Sequence, residues 1–196
     1  MEDKTITMPV IALRGMTVLP KMMIHFDISR SKSIAAVEKA MIGDQRVCLV
    51  TQKNSEEADP GVDELHSVGC VALIKQLVKI PNNVVRVMVE GQERVELLGL
   101  DSEEPMLVGE IGTLTESEDS LDYVTRQAMV RILKEKLEEY GKENPRMLKE
   151  VFPNLMMITD LGELLDQIAI QLTWDYKNRQ KVLECVLLEE RYETVM

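Results

Sequence analysis

The side chains able to do chemistry are few and scattered. The histidines, His25 and His66, lie in separate segments. A general base needs a partner and an orienting group, and the sequence identifies neither around them. Surface or packing roles suit both better. Glu-Glu pairs stand at 56–57, 103–104, 138–139 and 189–190. Two carboxylates share acid and base work only where their surroundings force their pKa values apart. All four pairs sit in polar loops or on charged helix faces, where solvation is their role. Cys48, Cys70 and Cys185 are an odd number, widely spaced and without a Cys-x-x-Cys pair, so neither a disulfide framework nor a zinc knuckle is indicated. Reduced, mostly buried thiols are expected. The chain has no phosphate-binding G-x-x-x-x-G-K-[ST] loop, no G-x-G-x-x-G, no H-E-x-x-H and no G-x-S-x-G. No catalytic, cofactor-binding or metal-ligating residue is assigned.

What the sequence does offer is methionine, 13 of them against one Trp and two Phe. Methionine is unbranched, flexible and polarizable, which suits surfaces that must accept differing shapes. Two adjacent pairs occur, Met22-Met23 in "VLPKMM" (18–23) and Met156-Met157 in "PNLMMITDL" (153–161). Apolar residues usually go inside, so at least one member of each pair is expected to face the core. The sequence-predicted binding patch is one exposed apolar area drawn from Val18, Leu19, Pro20, Met22 and Met23, joined by Ile80 and Pro81 at a hairpin tip.

The elements that must position this patch change character along the chain. Up to about residue 115, "TITMPVIALR" (5–14), "RVCLVTQ" (46–52), "SVGCVALIKQLVKI" (67–80), "VVRVMVEG" (84–91), "ERVELLGL" (93–100) and "LVGEIGTLT" (107–115) read as strands. In the fourth, Val85, Val87 and Val89 alternate with Arg86, Met88 and Glu90, as in a strand with one buried face. "PNN" (81–83) reads as a hairpin tip and "EGQE" (90–93) as a second tight turn. Several short strands with close turns predict a small barrel or curled sheet. One helix, "SRSKSIAAVEKAMIG" (29–43), opens with serines able to cap, places Ile34, Val37 and Met41 on one side, and stops at Gly43. The stretch 52–65 reads as an exposed loop.

After "TESEDSLD" (115–122) the hydrophobic period becomes helical. Over 120–141, Leu121, Val124, Ala128, Ile132, Leu133, Leu137 and Tyr140 recur at steps of three and four, with Ser120 as cap and Gly141 as stop. A shorter helix is predicted over 143–152. A stronger one follows over 159–172, capped by Asp160 and striped by Leu161, Leu164, Leu165, Ile168, Ala169 and Leu172. The run 175–196 repeats the pattern through Val182, Leu183, Val186 and Leu187 and ends in mid-pattern, so a longer native chain is expected. The predicted class is α+β, a β-rich unit at 1–117 with one helix, then a helical bundle at 118–196.

Formal net charge is -11, from 23 basic and 34 acidic residues. Residues 1–115 carry 12 basic and 17 acidic side chains and the remainder 11 and 17, so neither half has the basic surplus that binds a nucleic-acid backbone or an anionic membrane. The start lacks a signal-peptide pattern, and no apolar run is long enough to span a bilayer. No nucleic acid, no membrane and a cytoplasmic location are the expectations.

The order of these pieces resembles a known family. "MPVIALRGMTVLPKMMIHFDISRSKSIAAVEKAM", "LVTQK" (49–53), "DELHSVGCVALIKQLVKIPNNVVRVMVEGQERVEL" (63–97) and "NRQKVLECVLLEERYETV" (178–195) are similar to the amino-terminal domain of bacterial Lon proteases. The chain departs from it in "IALR", where Leu-Pro-Leu-Arg is common, and at Leu187, where a small polar break is frequent. That second departure leaves one or two helices after Asp175 open. The resemblance implies a PUA-like pseudo-barrel followed by a helical bundle. It further implies a non-catalytic part of an ATP-dependent Ser-Lys protease, with ATP and Mg belonging to an ATPase region outside this sequence. The implied partners are unfolded or misfolded proteins and other copies of the chain, in a homohexamer when full length. A stand-alone self-association or adaptor module is the alternative.

Overall fold

A computed structural model describes residues 5–114, 121–144, 149–172 and 174–196. The chain divides into two compact units, Met1–Thr115 and Glu116–Met196. Among the described residues there are six strands in one mixed sheet and six helices, an α+β protein.

The strands are β1 (Ile6–Leu13), β2 (Met23–Ile28), β3 (Arg46–Thr51), β4 (Val68–Ile80), β5 (Val84–Ser102) and β6 (Leu107–Thr113), with helix α1 (Ser31–Ile42) between β2 and β3. Their order is β2-β5-β4-β3-β1-β6, and β6 returns to pair with β5. Five strands therefore close into a barrel, and closure removes the open edges that a small sheet would expose. β5 makes this possible by its length of 19 residues. Its first half carries β2, from Ile28 opposite Val85 to Met23 opposite Glu90, and its second half carries β6. Alternate side chains of β1, β3, β4, β5 and β6 fill the interior, among them Val10, Cys48, Val71, Val95 and Ile111.

The tight turn predicted at 90–93 is absent: β5 runs straight through, absorbing Gln92 as a bulge between the pairs Gly91–Ala72 and Glu93–Val71. Gly91 serves a crossing instead of a turn. A Cβ there would overlap the carbonyl of Leu19, because the segment 19–22 lies directly over it. Lys21 N–H donates to Gly91 O at 2.8 Å and Gly91 N–H to Met22 O at 2.9 Å. The hairpin tip at 81–83 is present, with Asn82 and Asn83 in the left-handed region that asparagine tolerates.

In α1 the buried face is Ser33, Ala36, Val37 and Ala40, whereas Met41 is exposed. The stripe is thus shifted from the predicted Ile34, Val37 and Met41. Arg30 occupies the N-cap position, and no side chain caps the helix.

The helical unit contains α2 (Tyr123–Glu143), α3 (Phe152–Met157), α4 (Leu161–Gln171), α5 (Tyr176–Glu184) and α6 (Leu188–Val195). The predicted cap Ser120 lies outside the described residues, as does part of the predicted helix over 143–152. Asp122 caps α2 through Thr125 N–H at 2.7 Å, Asp160 caps α4 through Glu163 N–H at 2.8 Å, and Asp175 caps α5 through Asn178 N–H at 2.8 Å. The buried face of α2 is Val130, Leu133, Leu137 and Gly141, so Gly141 continues the helix and Val124 and Ile132 face water. α4 buries its predicted leucines against this face. The terminal run is two helices, broken at 185–187 where Arg191, fully buried, donates to Cys185 O at 3.0 Å and Val186 O at 3.3 Å and lies 3.7 Å from Asp166.

Candidate functional site

β2 is the edge of a three-stranded apron, β2–β5–β4, and the pairings decide what its two faces carry. Ile24, Val89 and Ile74 form one cross-strand row and Phe26, Val87 and Leu77 the next. Val85, Val87, Val89 and Ile74 are buried, so this face looks inward. The outward rows are Met23, Glu90 and Leu73, then His25, Met88 and Gln76, then Asp27, Arg86 and Val78. Beyond them Ile80 pairs with Val84 at the hairpin end. Met23 is 59% exposed and Val78 44%, with Met88, Val84 and Ile80 half-buried. The charged members are paired along the same face. Arg86 clasps Asp27 through two bonds of 2.6 and 2.9 Å, and Lys75 meets Glu90 at 2.6 Å. The Arg86 hydrogen bond holds the Asp27 carboxyl below its ordinary value. The outward face is therefore apolar side chains set among charges that already have partners.

The sequence-predicted patch needs correcting against this geometry. Val18, Leu19 and Met22 are 2%, 0% and 5% exposed, core residues held down by the crossing over Gly91, and they are closed to a partner. Pro20 is half-buried, while Met23 and Pro81 are exposed. Met23 and Ile80 lie at opposite ends of the apron. Met23 stands opposite Glu90 and Ile80 opposite Val84, roughly 20 Å apart at about 3.3 Å per residue. Val78, Val84 and Met88 occupy the ground between and were missing from the patch. The alternation of Arg86, Met88 and Glu90 was the signal that could have found Met88.

The helical unit holds a second apolar feature, a cleft of about 380 Å³ lined by Leu133, Leu137, Tyr140, Ile168, Leu172 and Val195. Met157 is exposed on the same unit. Cys48 is buried inside the barrel and Cys70 beside Gly91, and burial pushes the Cys48 thiol far up, which keeps it protonated and unreactive. Among the described residues no three His, Cys, Asp or Glu side chains converge as metal ligands would.

Residues 7–196 match the family profile described as the ATP-dependent protease La (LON) substrate-binding domain. The chain belongs to the Lon substrate-binding domain family. It is 37% identical to a Lon protease of Lachnoclostridium phytofermentans over 98% of its own length and 24% of that relative's. A Lon protease of Bacillus thuringiensis is 36% identical, over 96% of this chain and 23% of the relative. The chain thus spans about a quarter of the curated Lon proteases it matches, the part occupied by their amino-terminal domain. Among solved structures, the N-terminal domain of a Mycobacterium avium complex Lon protease superposes with a TM-score of 0.76 at 20% identity, covering 96% of this chain and 95% of that one. A Lon N-terminal domain protein from Xanthomonas campestris does so with a TM-score of 0.66 at 15% identity, covering 97% and 96%. The Lon N-domain fold is shared across these low identities. No described helix is long and apolar enough to cross a membrane.

Proposed function

We propose that this chain receives unfolded or damaged polypeptides for an ATP-dependent Lon serine protease, in the cytoplasm, and itself cuts nothing. The observation that carries the reading is the outward face of the β2–β5–β4 apron. There Met23, Met88, Val78, Val84 and Ile80, with Pro20 and Pro81 at its ends, make an apolar surface whose neighbouring charges are satisfied. Two of these are methionines, which adapt to unlike partners. Weak, broad affinity follows, because ordering a disordered segment opposes binding. In this division of labour the β unit recognises and the helical unit assists assembly into a homo-oligomer. Its cleft beside Leu133, Leu172 and Val195, together with exposed Met157, supports the second role.

The test is binding of a chemically unfolded globular protein, read by fluorescence anisotropy. Met23→Asp with Met88→Asp is expected to weaken binding about tenfold or more, the cost of placing two charges in an apolar contact, with circular dichroism unchanged. Binding equal to the parent chain would remove the apron from consideration. Light scattering across concentrations tests assembly: a chain that associates and thereby loses its affinity for unfolded protein favours the self-association module instead.

A further inference from the structure

A cleft of about 140 Å³ opens between the end of β1 and the end of β2, lined by Leu13, Arg14, Met16, Phe26, Arg30 and Ser33 among others. Two guanidinium groups meet there with no carboxylate in contact among the described residues. Arg14 donates to Glu57 O at 3.1 Å and to Ala58 O at 3.5 Å. Arg30 donates to the same Glu57 O at 3.2 Å, to Gln52 Oε1 at 2.6 Å and to Ala12 O at 3.4 Å. Two like charges thus converge on one neutral carbonyl. Several other basic side chains in this unit take acids: Lys32 has Asp59 and Glu104, Arg46 has Glu93, and Arg86 has Asp27, while Lys53 bonds a carbonyl, Asp63 O, at 2.9 Å.

The floor of the cleft is the start of α1. This helix has no acidic residue in its first turn and no side-chain cap. Its first intrahelical bond is made by Ile34 N–H to Arg30 O, leaving the N–H groups of Ser31, Lys32 and Ser33 ahead of the ladder. Ser33 lines the cleft at 7% exposure, and no described residue bonds its hydroxyl. A buried hydroxyl without a partner costs stability unless something else satisfies it. A helix start, two cations and an unpaired hydroxyl together make a site for a small anion. Burial, and then the nearby Arg14 charge, push the Arg30 guanidinium below its ordinary value, with Asp59 and Glu57 offsetting part of this from a distance. The volume suits a carboxylate with one small group beside it; a nucleotide or other drug-sized ligand needs roughly 300 Å³ or more.

The edge of β2 leads into this cleft. Gly91 N–H bonds Met22 O, and antiparallel alternation then turns the backbone groups of Ile24, Phe26 and Ile28 toward β5 and those of Met23, His25 and Asp27 away from it. β2 ends the sheet order, and its outer side has no strand partner among the described residues. An extended polypeptide laid parallel along that side arrives at the cleft with its carboxyl end. Asp27 also lines the cleft, and its carboxylate is already held by Arg86. We propose that the cleft between β1, β2 and α1 binds the C-terminal carboxylate of an extended polypeptide, a side-chain carboxylate being the other source of the same group.

This inference rests on the reading of the chain as a receiver of unfolded polypeptides, and two measurements separate their fates. The first is a ¹H–¹⁵N NMR titration of the 196-residue chain with sodium acetate and, separately, inorganic phosphate, at constant ionic strength. Acetate is expected to give saturable shifts at the Ser31–Ile34 amides, reduced by Arg14→Gln and by Ser33→Ala, two substitutions that leave the Arg30 anchors in place. No shift, or a response to phosphate alone, overturns the carboxylate site whatever the chain does with proteins. The second is anisotropy of a labelled apolar peptide with a free C-terminus, its C-terminal amide, and the amide with an internal Glu. The free acid is expected to bind about tenfold tighter than the amide, the scale of one charge-assisted hydrogen bond, and Arg14→Gln to erase the difference. Rescue by internal Glu assigns the site to side-chain carboxylates. Equal binding of acid and amide overturns the peptide-terminus assignment while leaving the apron's role intact, whereas acetate binding without any peptide binding leaves the anion site standing and sinks the receiver reading.

Discussion

Arg191 shows how much a single residue can organise. Its guanidinium is fully buried and ties down the carbonyls of Cys185 and Val186, the residues that separate α5 from α6, while lying 3.7 Å from buried Asp166. The carbonyl bonds are the shorter contacts and do most of the positioning. Removing the guanidinium strips the two carbonyls of their donor and takes a cation from beside buried Asp166, and breaking a buried charged network of this kind costs about 3–5 kcal/mol. Arg191→Ala is therefore expected to lower the stability of the helical unit by about that amount in urea unfolding. Arg191→Lys is expected to recover less than half, because a point ammonium does not reproduce a planar fork across two carbonyls. Equal stability of parent and Arg191→Lys would show that charge alone matters. Asp27 gives a pH-dependent counterpart on the surface. Its folded pKa is lowered from the ordinary 3.8 by Arg86, so its contribution is complete above that value and disappears as pH falls through the lower folded value. The difference in urea midpoint between the parent and Asp27→Asn should be flat from neutral pH down to the ordinary carboxylate range and close below it.

The crossing of 19–22 over β5 accounts for what became of the methionine pair. Because Lys21 and Met22 exchange backbone bonds with Gly91, Met22 is carried into the core and Met23, one residue on, is turned out. Gly91→Ala places a methyl group on the Leu19 carbonyl, and overpacking of this kind costs about 1–3 kcal/mol. Faster hydrogen exchange at Val18–Met22 is the expected signature, with Met22→Asp more damaging and Met23→Asp tolerated by the fold. Unchanged exchange in Gly91→Ala would mean the crossing yields freely. The strands around β5 were legible because Val-rich alternation survives in one residue's surroundings, and so was the outward position of Met88. The crossing was not, since a glycine within "VEGQE" signals a turn and a close backbone approach equally well, and only a contact far along the chain decides between them. β2 is missing from the predicted strands although its signal is present: in "MIHFDI" Ile24, Phe26 and Ile28 alternate with His25 and Asp27, and pairing with β5 realises it. α4 is fully readable, cap and leucine stripe together, while α2 is readable in part: Leu133 and Leu137 are buried as predicted, but exposed Val124, Ile132 and Tyr140 mimic a core period and Val130 is missing from the predicted stripe.

At the scale of the whole chain, the switch in hydrophobic period near residue 115 falls at the boundary of the two compact units, and the buried cluster inside the barrel shares no residue with the one among α2, α3, α4 and α6. The Arg14–Arg30 cleft was illegible at that scale and at every smaller one, because a net charge of -11 argues against anions on average while two arginines brought together by β1 and α1 create a local exception. Separate cores predict separable responses to damage. The one tryptophan, Trp174, belongs to the helical unit, so its fluorescence reports that unit alone, while amide exchange at Val47–Val50 and Val71–Ile74 reports the barrel. Arg191→Ala should move the urea midpoint of Trp174 fluorescence and leave barrel protection unchanged, and Gly91→Ala should do the reverse, since substitutions in independent clusters do not couple. If both probes instead shift together in both variants, the units fold as one cooperative body, and stability lost at the break between α5 and α6 would then be felt at the apron proposed to receive substrate.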